Sequence, residues 1–368
     1  MLGNGAIKEN FKATLVSVII VNTNERQHLS RCLPSLMAST FPNFEVIVVD
    51  NASEDGSVEY LNREFPEVRV LESDVNLGYA GANNTGFVAA SGNYVVVLNP
   101  DTVVEENWLS ELVDAMSKHE GVALATPKIL TMRDGTINAC GNEISFTGLT
   151  ACRGYGEQPN EYSSIEYVSA VSGAAFCITR SALEILGGFD ESLFLYYEDT
   201  DLSLRALLAG YQCLFVPQAV VHHDYGFRFT PMKNFLLERN RILVWLKTFK
   251  WKTLIAMAPV LILGEVITWG YATLRGPQYL WAKLRAYFWL ITHTDLIRDA
   301  RVRQQRIRIV DDCAVLRQMT HRLRFRQTVP QKVAVLLEAV FHPLIYLFAR
   351  FALWILGCGS TRWGRSRI

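Results

Sequence analysis

Four short β-branched runs constrain the first hundred residues more than any other feature. They are "LVSVIIV" (15–21), "FEVIVVD" (44–50), "VRVLES" (68–73) and "YVVVL" (94–98). Each is β-branched, short and bounded by polar residues, the pattern of strands, and "YVVVL" reads as a strand buried on both faces. Between them "HLSRCLPSLMAS", "GSVEYLNREF" and "NNTGFVAAS" read as helices. Strand–helix–strand repetition predicts an α/β fold with a mostly parallel central sheet and right-handed crossovers. Such sheets bind ligands outside the carboxyl ends of their strands, near the point where strand order reverses.

All four carboxyl ends are polar. The first strand runs into "NTNE", the second into "DNASEDGS", the third leads to "NLGYAGANNTG", and the fourth ends in "NPDT", with Asn99 and Asp101. Asp50 alone reads equally well as a helix cap before "GSVEYL". Four polar tips on one edge describe a cleft for a polar ligand. The glycine-bearing loop, leading into a helix, suits an anion on backbone amides; glycines that only turn the chain fit it as well. It is neither GxGxxG nor a Walker loop.

A second cluster lies between 171 and 226. "SALEIL" is a short helix stopped by Gly187 and Gly188, and "DTDLSLRALLAG" a second helix with Gly210 at its C-terminal cap. Glu198, Asp199 and Asp201 crowd the first turn of the second helix, where carboxylates also suit the helix dipole. Tyr196 and Tyr197 place an aromatic wall beside them. After the strand "CLFVPQAVV" come His222 and His223, solvated or structural on their own. Paired with Asp101, they become ligands for magnesium or manganese.

Composition narrows the function classes. The 368 residues carry 36 Lys plus Arg against 36 Asp plus Glu, which gives no reason to expect nucleic acid as a partner. Seven cysteines without a CxxC pair argue against a disulfide framework or zinc site, and for a reducing environment. The N-terminal "MLGNGAIKENFKATL" lacks the apolar core of a secretory signal, so the catalytic part is expected in the cytoplasm. Two later stretches, 253–274 and 333–356, approach the roughly 20 apolar residues that cross a bilayer. Glu265 interrupts the first; Glu338, His342 and Arg350 interrupt the second. Charges and prolines favour in-plane or re-entrant helices over spanning ones, and buried helices of a soluble domain are the third option. The arginine-rich segment 298–326 between them suits anionic headgroups or a lipid diphosphate, or is a solvated basic helix.

The ordered set "SVIIVNTNE", "VIVVDNASEDGS", "NLGYAGANNTG", "VVLNPDT", "GGFDESLFLYYEDTDLSLR" and His222–His223, with "ERNR" at 238–241, resembles family 2 glycosyltransferases of the GT-A fold. The likeness is strongest to the rhamnosyltransferase-like branch that builds surface glycans. It implies a GT-A domain over 1–250 and a helical, membrane-associated region over 251–368. It further implies a nucleotide-sugar donor, a divalent cation (Mg2+ or Mn2+), a glycan or polyprenyl-linked acceptor, and work on the cytoplasmic side of the membrane. By the same resemblance Asn22, Asp50 and Asn51 hold the nucleoside, and Asn76, Gly78, Gly81 and Asn84 line the donor loop. Asp101 matches the last aspartate of the metal-binding DxD motif and His223 its histidine partner. Asp199, beside Glu198, matches the catalytic base of an inverting reaction. Asn99 stands where the motif has its first aspartate, so fewer charged ligands are present. A sugar nucleotidyltransferase would show a Gly-rich run with Arg and Lys after the first strand, and a processive synthase a QxxRW motif; neither is found. A catalytically inert glycan-binding scaffold is the reading from another class, opposed by retention of Asp101, Asp199 and His223.

Overall fold

The computed structural model describes residues 14–226 and 229–359. The expectation that the N-terminus lacks a leader falls on residues 1–13, outside the described residues. The first four predicted strands are present as β1 (Val16–Asn22), β2 (Phe44–Asn51), β3 (Arg69–Ser73) and β4 (Tyr94–Leu98), separated by helices α1 (Arg26–Met37), α2 (Ser57–Glu64) and α3 (Gly78–Ala89). β1 is buried at all seven positions, which explains a run with no polar alternation beyond Ser17. β1 pairs in parallel with both β2 and β4, and β2 with β3. Strand order therefore reverses between β1 and β4, and Asn22 and Asn99 flank that switch point.

The sheet continues through β5 (Thr102–Val104), α4 (Trp108–Lys118), β6 (Val122–Thr131), β7 (Ile137–Ala139), a β8–β9 hairpin (Asn142–Ile144, Thr150–Cys152), β10 (Glu166–Val168) and β11 (Ala175–Thr179). Then follow α5 (Arg180–Leu186), α6 (Glu198–Leu208) and β12 (Gln212–His223). The order across the main sheet is β10-β12-β6-β11-β4-β1-β2-β3. β11 is antiparallel to both β4 and β6, so the sheet is largely, not wholly, parallel. β12 runs two residues further than its apolar run and pairs antiparallel with β5, with His223 opposite Thr102. That register carries His223 to Asp101.

The C-terminal region is helical as expected: α7 (Pro231–Thr248), α8 (Trp251–Arg275), α9 (Pro277–Thr292), α10 (Thr294–Arg306), α11 (Asp312–Leu316) and α12 (Gln331–Leu356). One hydrophobic cluster crosses position 250, joining Leu204, Leu208, Val244 and Trp245 to Met257, Val260, Leu316 and Ala349. At Gly264, α8 approaches the β8–β9 hairpin so closely that a Cβ would stand 2.7 Å from the Thr147 carbonyl oxygen. Glu265 is not solvated at an interface: it pairs with Arg241 at 2.5 Å and Lys283 at 3.0 Å. α8 and α12, of 25 and 26 residues, are long and apolar enough to cross a membrane by length and composition, with less than a third of either apolar window buried.

Two expectations for this region need correction. Cys313 and Cys358 form a disulfide, because α12 returns its C-terminal end to α11 across 45 residues of sequence; spacing alone gives no sign of such a pair. Much of the arginine-rich segment is also structural. Arg301 donates to the Phe249 carbonyl at 2.6 Å and Arg308 to that of Thr248 at 2.6 Å, satisfying the open C-terminal end of α7.

Candidate active site

At the carboxyl edge, Asn22 and Asp50 stand in register on adjacent strands, and Asn22 Nδ2 donates to Asp50 Oδ1 at 2.7 Å. The second Asp50 oxygen accepts the Ser53 amide at 3.0 Å. Asp50 is thus a turn former and not the cap of α2, whose N-cap is Gly56. Asn51 Oδ1 accepts the Leu77 amide at 2.7 Å, and its Nδ2 donates to Asn76 Oδ1 at 3.0 Å. The loop from β3 is therefore clamped to the tip of β2.

The glycine-bearing segment departs from the anion-cradle reading. Gly78 and Gly81 already lie within α3, and three amides at its start are taken inside the protein. Leu77 donates to Asn51, Gly78 to Asn76 at 2.8 Å, and Ala80 to the Phe194 carbonyl at 3.1 Å. Gly78, at φ +71°, lets the chain before the acidic pair come close: a Cβ there would meet Phe194 O at 2.6 Å. Asn84 likewise brackets the backbone of Phe189, accepting its N–H at 2.8 Å and donating to its carbonyl at 3.0 Å.

The acidic pair opens α6 after an unusual approach. Phe194, Tyr196 and Tyr197 all have φ between 62° and 70°, a left-handed region that costs non-glycine residues energy. Buried Asn240, in the "ERNR" of α7, holds this stretch, its Nδ2 lying 2.9, 2.9 and 2.7 Å from the carbonyls of Leu193, Leu195 and Tyr196. Arg239 adds bonds to Ser192 and Leu193. Tyr197 is a core residue donating to Gly148 O at 3.1 Å, so only Tyr196 remains of the predicted aromatic wall. Asp201 also turns inward, to Lys247 at 2.8 Å and Arg205 at 2.9 Å.

Glu198 and Asp199 differ in their surroundings. Glu198 is buried, and its Oε2 has no hydrogen-bond partner among the described residues. Burial, reinforced by Asp199, pushes its carboxyl up to about 8. Burial raises Asp199 too, but it accepts from the Gly173 amide at 2.8 Å, Asn142 Nδ2 at 3.0 Å and the Thr200 amide at 2.6 Å. Donors stabilise a carboxylate. When the pair holds a single proton it therefore sits on Glu198, leaving Asp199 the anion.

From Asp199 a continuous path leads to the sheet. Gly173 donates to Asp199, and the Tyr79 hydroxyl lies 2.7 Å from Gly173 O and 2.9 Å from Asn99 Oδ1. Burial, with Glu198, Asp199 and Asp101 around it, holds Tyr79 well above the ordinary phenol range. Asn99 is thus engaged with Tyr79. Asp101 faces His223, Nε2 to Oδ1 at 3.2 Å, while His222 turns away to Glu105 at 3.5 Å. His223 Nδ1 lies 2.9 Å from Asn138 Oδ1; donating there, it leaves the Nε2 lone pair towards Asp101. Asp101 Oδ1 is buried and accepts no hydrogen bond among the described residues. Two acceptors facing each other require a proton or a cation between them. Cis ligands about 2.1 Å from a magnesium-sized ion stand about 3.0 Å apart, so the pair fits such an ion. No group of three or more His, Cys, Asp or Glu able to hold a metal occurs among the described residues. Tyr79, Asn138, Asn142, Gly173 and Asn240 were absent from the sequence-based set. Only Tyr79, inside the glycine-bearing segment, and Asn240, inside "ERNR", lay within a recognisable motif.

Known proteins give this arrangement its context. The M. tuberculosis N-acetylglucosaminyl-diphospho-decaprenol L-rhamnosyltransferase is 30% identical over 235 residues, 57% of this chain and 76% of its own. Haloferax volcanii glycosyltransferase AglE is 26% identical over 77% of this chain and 89% of its own. An uncharacterised Sinorhizobium fredii protein, y4gI, is 32% identical over 65% of this chain, which spans only 28% of that relative's length. Among solved structures, GalNAc-T7 with UDP, GalNAc and Mn2+ superposes with TM-score 0.53 at 22% identity, over 63% of this chain and 47% of its own. Residues 1–349 of S. aureus TarS superpose with TM-score 0.51 at 14% identity, over 93% and 91%. Both share the GT-A fold. The profile of glycosyl transferase family 2 matches residues 17–158 and that of glycosyl transferase family group 2 residues 94–359, so the chain belongs to the family 2 glycosyltransferases.

Proposed function

We propose that this chain is an inverting glycosyltransferase that moves a hexosyl or deoxyhexosyl group from a nucleotide-sugar donor to a hydroxyl of a lipid-linked glycan acceptor in surface-glycan assembly. The observation that carries the reading is the path from Asp199 through Gly173 and Tyr79 to Asn99, two residues before Asp101. It ties the candidate base to the strand end carrying the candidate diphosphate site. Asp199 takes the proton of the acceptor hydroxyl as its oxygen bonds to the anomeric carbon, and the bond from that carbon to the diphosphate breaks on the opposite face. Exchange of the 3.2 Å Thr200 hydroxyl bond for the acceptor needs the least rearrangement. Asp101 and His223 would hold Mg2+ or Mn2+, which when bound offsets the charge of the leaving diphosphate. Asn22, Asp50 and Asn51 shape the nucleoside end, and Asn76, Gly78, Gly81 and Asn84 fix the segment between donor and acidic pair.

Residues 1–250 carry this chemistry in our reading, and 251–368 bring it to the cytoplasmic face of the membrane. The M. tuberculosis relative, named for a decaprenyl-diphosphate saccharide, supports a lipid-linked acceptor. Exposed apolar side chains on three helices, among them Ile262, Phe288, Leu347 and Trp354, support membrane contact. The test is a panel of nucleotide sugars with Mn2+, read first by thermal shift and donor hydrolysis, then by the anomeric configuration of the product. A product that retains the donor's configuration overturns the mechanism, and no response to any nucleotide sugar overturns the function.

A further inference from the structure

A second polar cavity, of about 440 Å³, opens where residues 321–327 meet the start of α12. Its lining includes Tyr155, Arg322, Arg324, Arg326, Glu338 and His342. The chain entering this lining is fixed just before it: Ser145 and Thr320 form a β-bridge, and the Thr320 amide donates to Ile144 O at 2.9 Å. Arg324 is consumed by Glu143 and Glu157 at 2.8 and 2.9 Å, and so forms a rigid wall. Arg322 and Arg326 are exposed and form no ion pair among the described residues, although both line the cavity. The charge of Arg322 is felt locally, since burial and then Arg322 and His342 hold the neighbouring His321 below its ordinary value.

The cavity's position connects two features. On one side lies α12, whose outer face carries exposed Leu336, Val340 and Leu347. On the other, Tyr155 meets Tyr225 at 6.2 Å and Tyr225 meets His223 at 5.5 Å between ring centroids, an aromatic path to the Asp101–His223 pair. An anion in this cavity would have an apolar helix face for a hydrocarbon chain and a short way to the sugar-transfer centre. Guanidinium groups recognise phosphate oxygens through paired N–H donors.

We propose that this cavity binds the diphosphate of the lipid-linked acceptor through Arg322 and Arg326, with the hydrocarbon chain following α12. The proposal rests on the transferase reading and adds the recognition site for its acceptor. Glu338 is the acid in the lining that has no ion-pair partner among the described residues, so it opposes the anion and sets the affinity low.

The experiment uses the full chain in EDTA, which withholds the cation from the donor site. Inorganic pyrophosphate is titrated calorimetrically, and phosphatidylcholine vesicles with and without undecaprenyl diphosphate are compared by flotation. Joint replacement Arg322→Ala and Arg326→Ala should weaken pyrophosphate binding by about tenfold or more for each arginine, as loss of a charge-assisted bond predicts. Glu338→Gln should tighten it. Vesicles with the diphosphate lipid should hold the wild-type chain better than plain vesicles, and the arginine variant should lose that increment alone. Equal pyrophosphate binding by wild type and the arginine variant overturns the site. Equal retention on both vesicle types overturns the lipid as source, leaving a free diphosphate. If donor hydrolysis, measured separately with Mn2+, persists in either case, the transferase reading stands while this proposal falls.

Discussion

Replacing Asn240 by alanine should damage catalysis as well as stability. Its side-chain amide serves the carbonyls of Leu193, Leu195 and Tyr196, but Leu193 O also accepts from Arg239 at 2.8 Å. Two carbonyls are therefore orphaned, together with the buried Arg239 Nε–H that donates to Asn240 Oδ1 at 2.8 Å. An unsatisfied buried polar group costs about 1–3 kcal/mol; Leu195 and Tyr196 are only half-buried, so water relieves part of this and the loss is about 3 kcal/mol for the three groups. The same bonds hold Tyr196 at φ 70° in the segment that also places Phe194 at φ 62° and Tyr197 at φ 70°, conformations costing roughly 1–3 kcal/mol each. Without Asn240 this strain relaxes, and the first residues it moves are Glu198 and Asp199. A displacement near 1 Å at reacting groups costs on the order of 100-fold in rate. The assay is steady-state donor hydrolysis and transfer beside urea denaturation. A variant that loses about 3 kcal/mol yet turns over at the wild-type rate refutes the idea that Asn240 positions the acidic pair.

Three further outcomes follow from the site and the helices. Asp199→Asn should abolish transfer with donor binding retained in a thermal-shift titration, whereas Glu198→Gln should keep much of the rate; the reverse order would reassign the base. Glu198 is pushed up to about 8 from an ordinary 4.5, so the folded state binds more protons than the unfolded chain between those values, and stability falls as pH rises through that window. Glu198→Gln removes this loss: its melting temperature should exceed the wild type's at pH 9 by more than at pH 5, and a pH-independent difference would contradict the assignment. Leu347→Glu with Trp354→Glu alters exposed positions of α12 and should weaken binding to anionic vesicles while leaving the denaturation midpoint unchanged; undiminished flotation would remove α12 from the membrane contact.

Most of the parallel half of the sheet was legible because the buried strands β1, β2 and β4 leave nearly uninterrupted β-branched runs, and β2 and β4 end within a residue of those patterns, while β3, at the sheet edge, has no buried position. The turn at β11 was not, since "AAFCIT" looks the same whether its strand runs with or against β4. Asp101, Asp199 and His223 could be found because each sits at the end of an apolar run or the start of a helix. Asn138 and Asn142 could not, because their segment has no periodicity and their partners lie 85 and 57 residues away in sequence. The disulfide was hidden for the same reason. The three glycines of 76–86 misled in a different way: a glycine permits close approach without saying of what, and at Gly78 the visitor is the protein's own Phe194.

The helices beyond residue 250 belong to the argument about catalysis as well as membrane contact. Glu238 and Arg241 on α7, Glu265 on α8 and Lys283 on α9 form one ion network, with Arg241 to Glu238 at 2.8 Å and Lys283 bound to both acids. Lys283 and Arg241 are nearly inaccessible to water, so removing one partner leaves an uncompensated charge, a loss of about 3–5 kcal/mol. Asn240 lies between Glu238 and Arg241 in sequence and carries the loop that presents Asp199. The same turn of α7 is thus braced by α8 and α9, two of the three helices with exposed apolar faces, and bonded to the backbone before the acidic pair. A shift of α8 or α9 against α7 would therefore act on this turn and, through Asn240, on the backbone before Asp199.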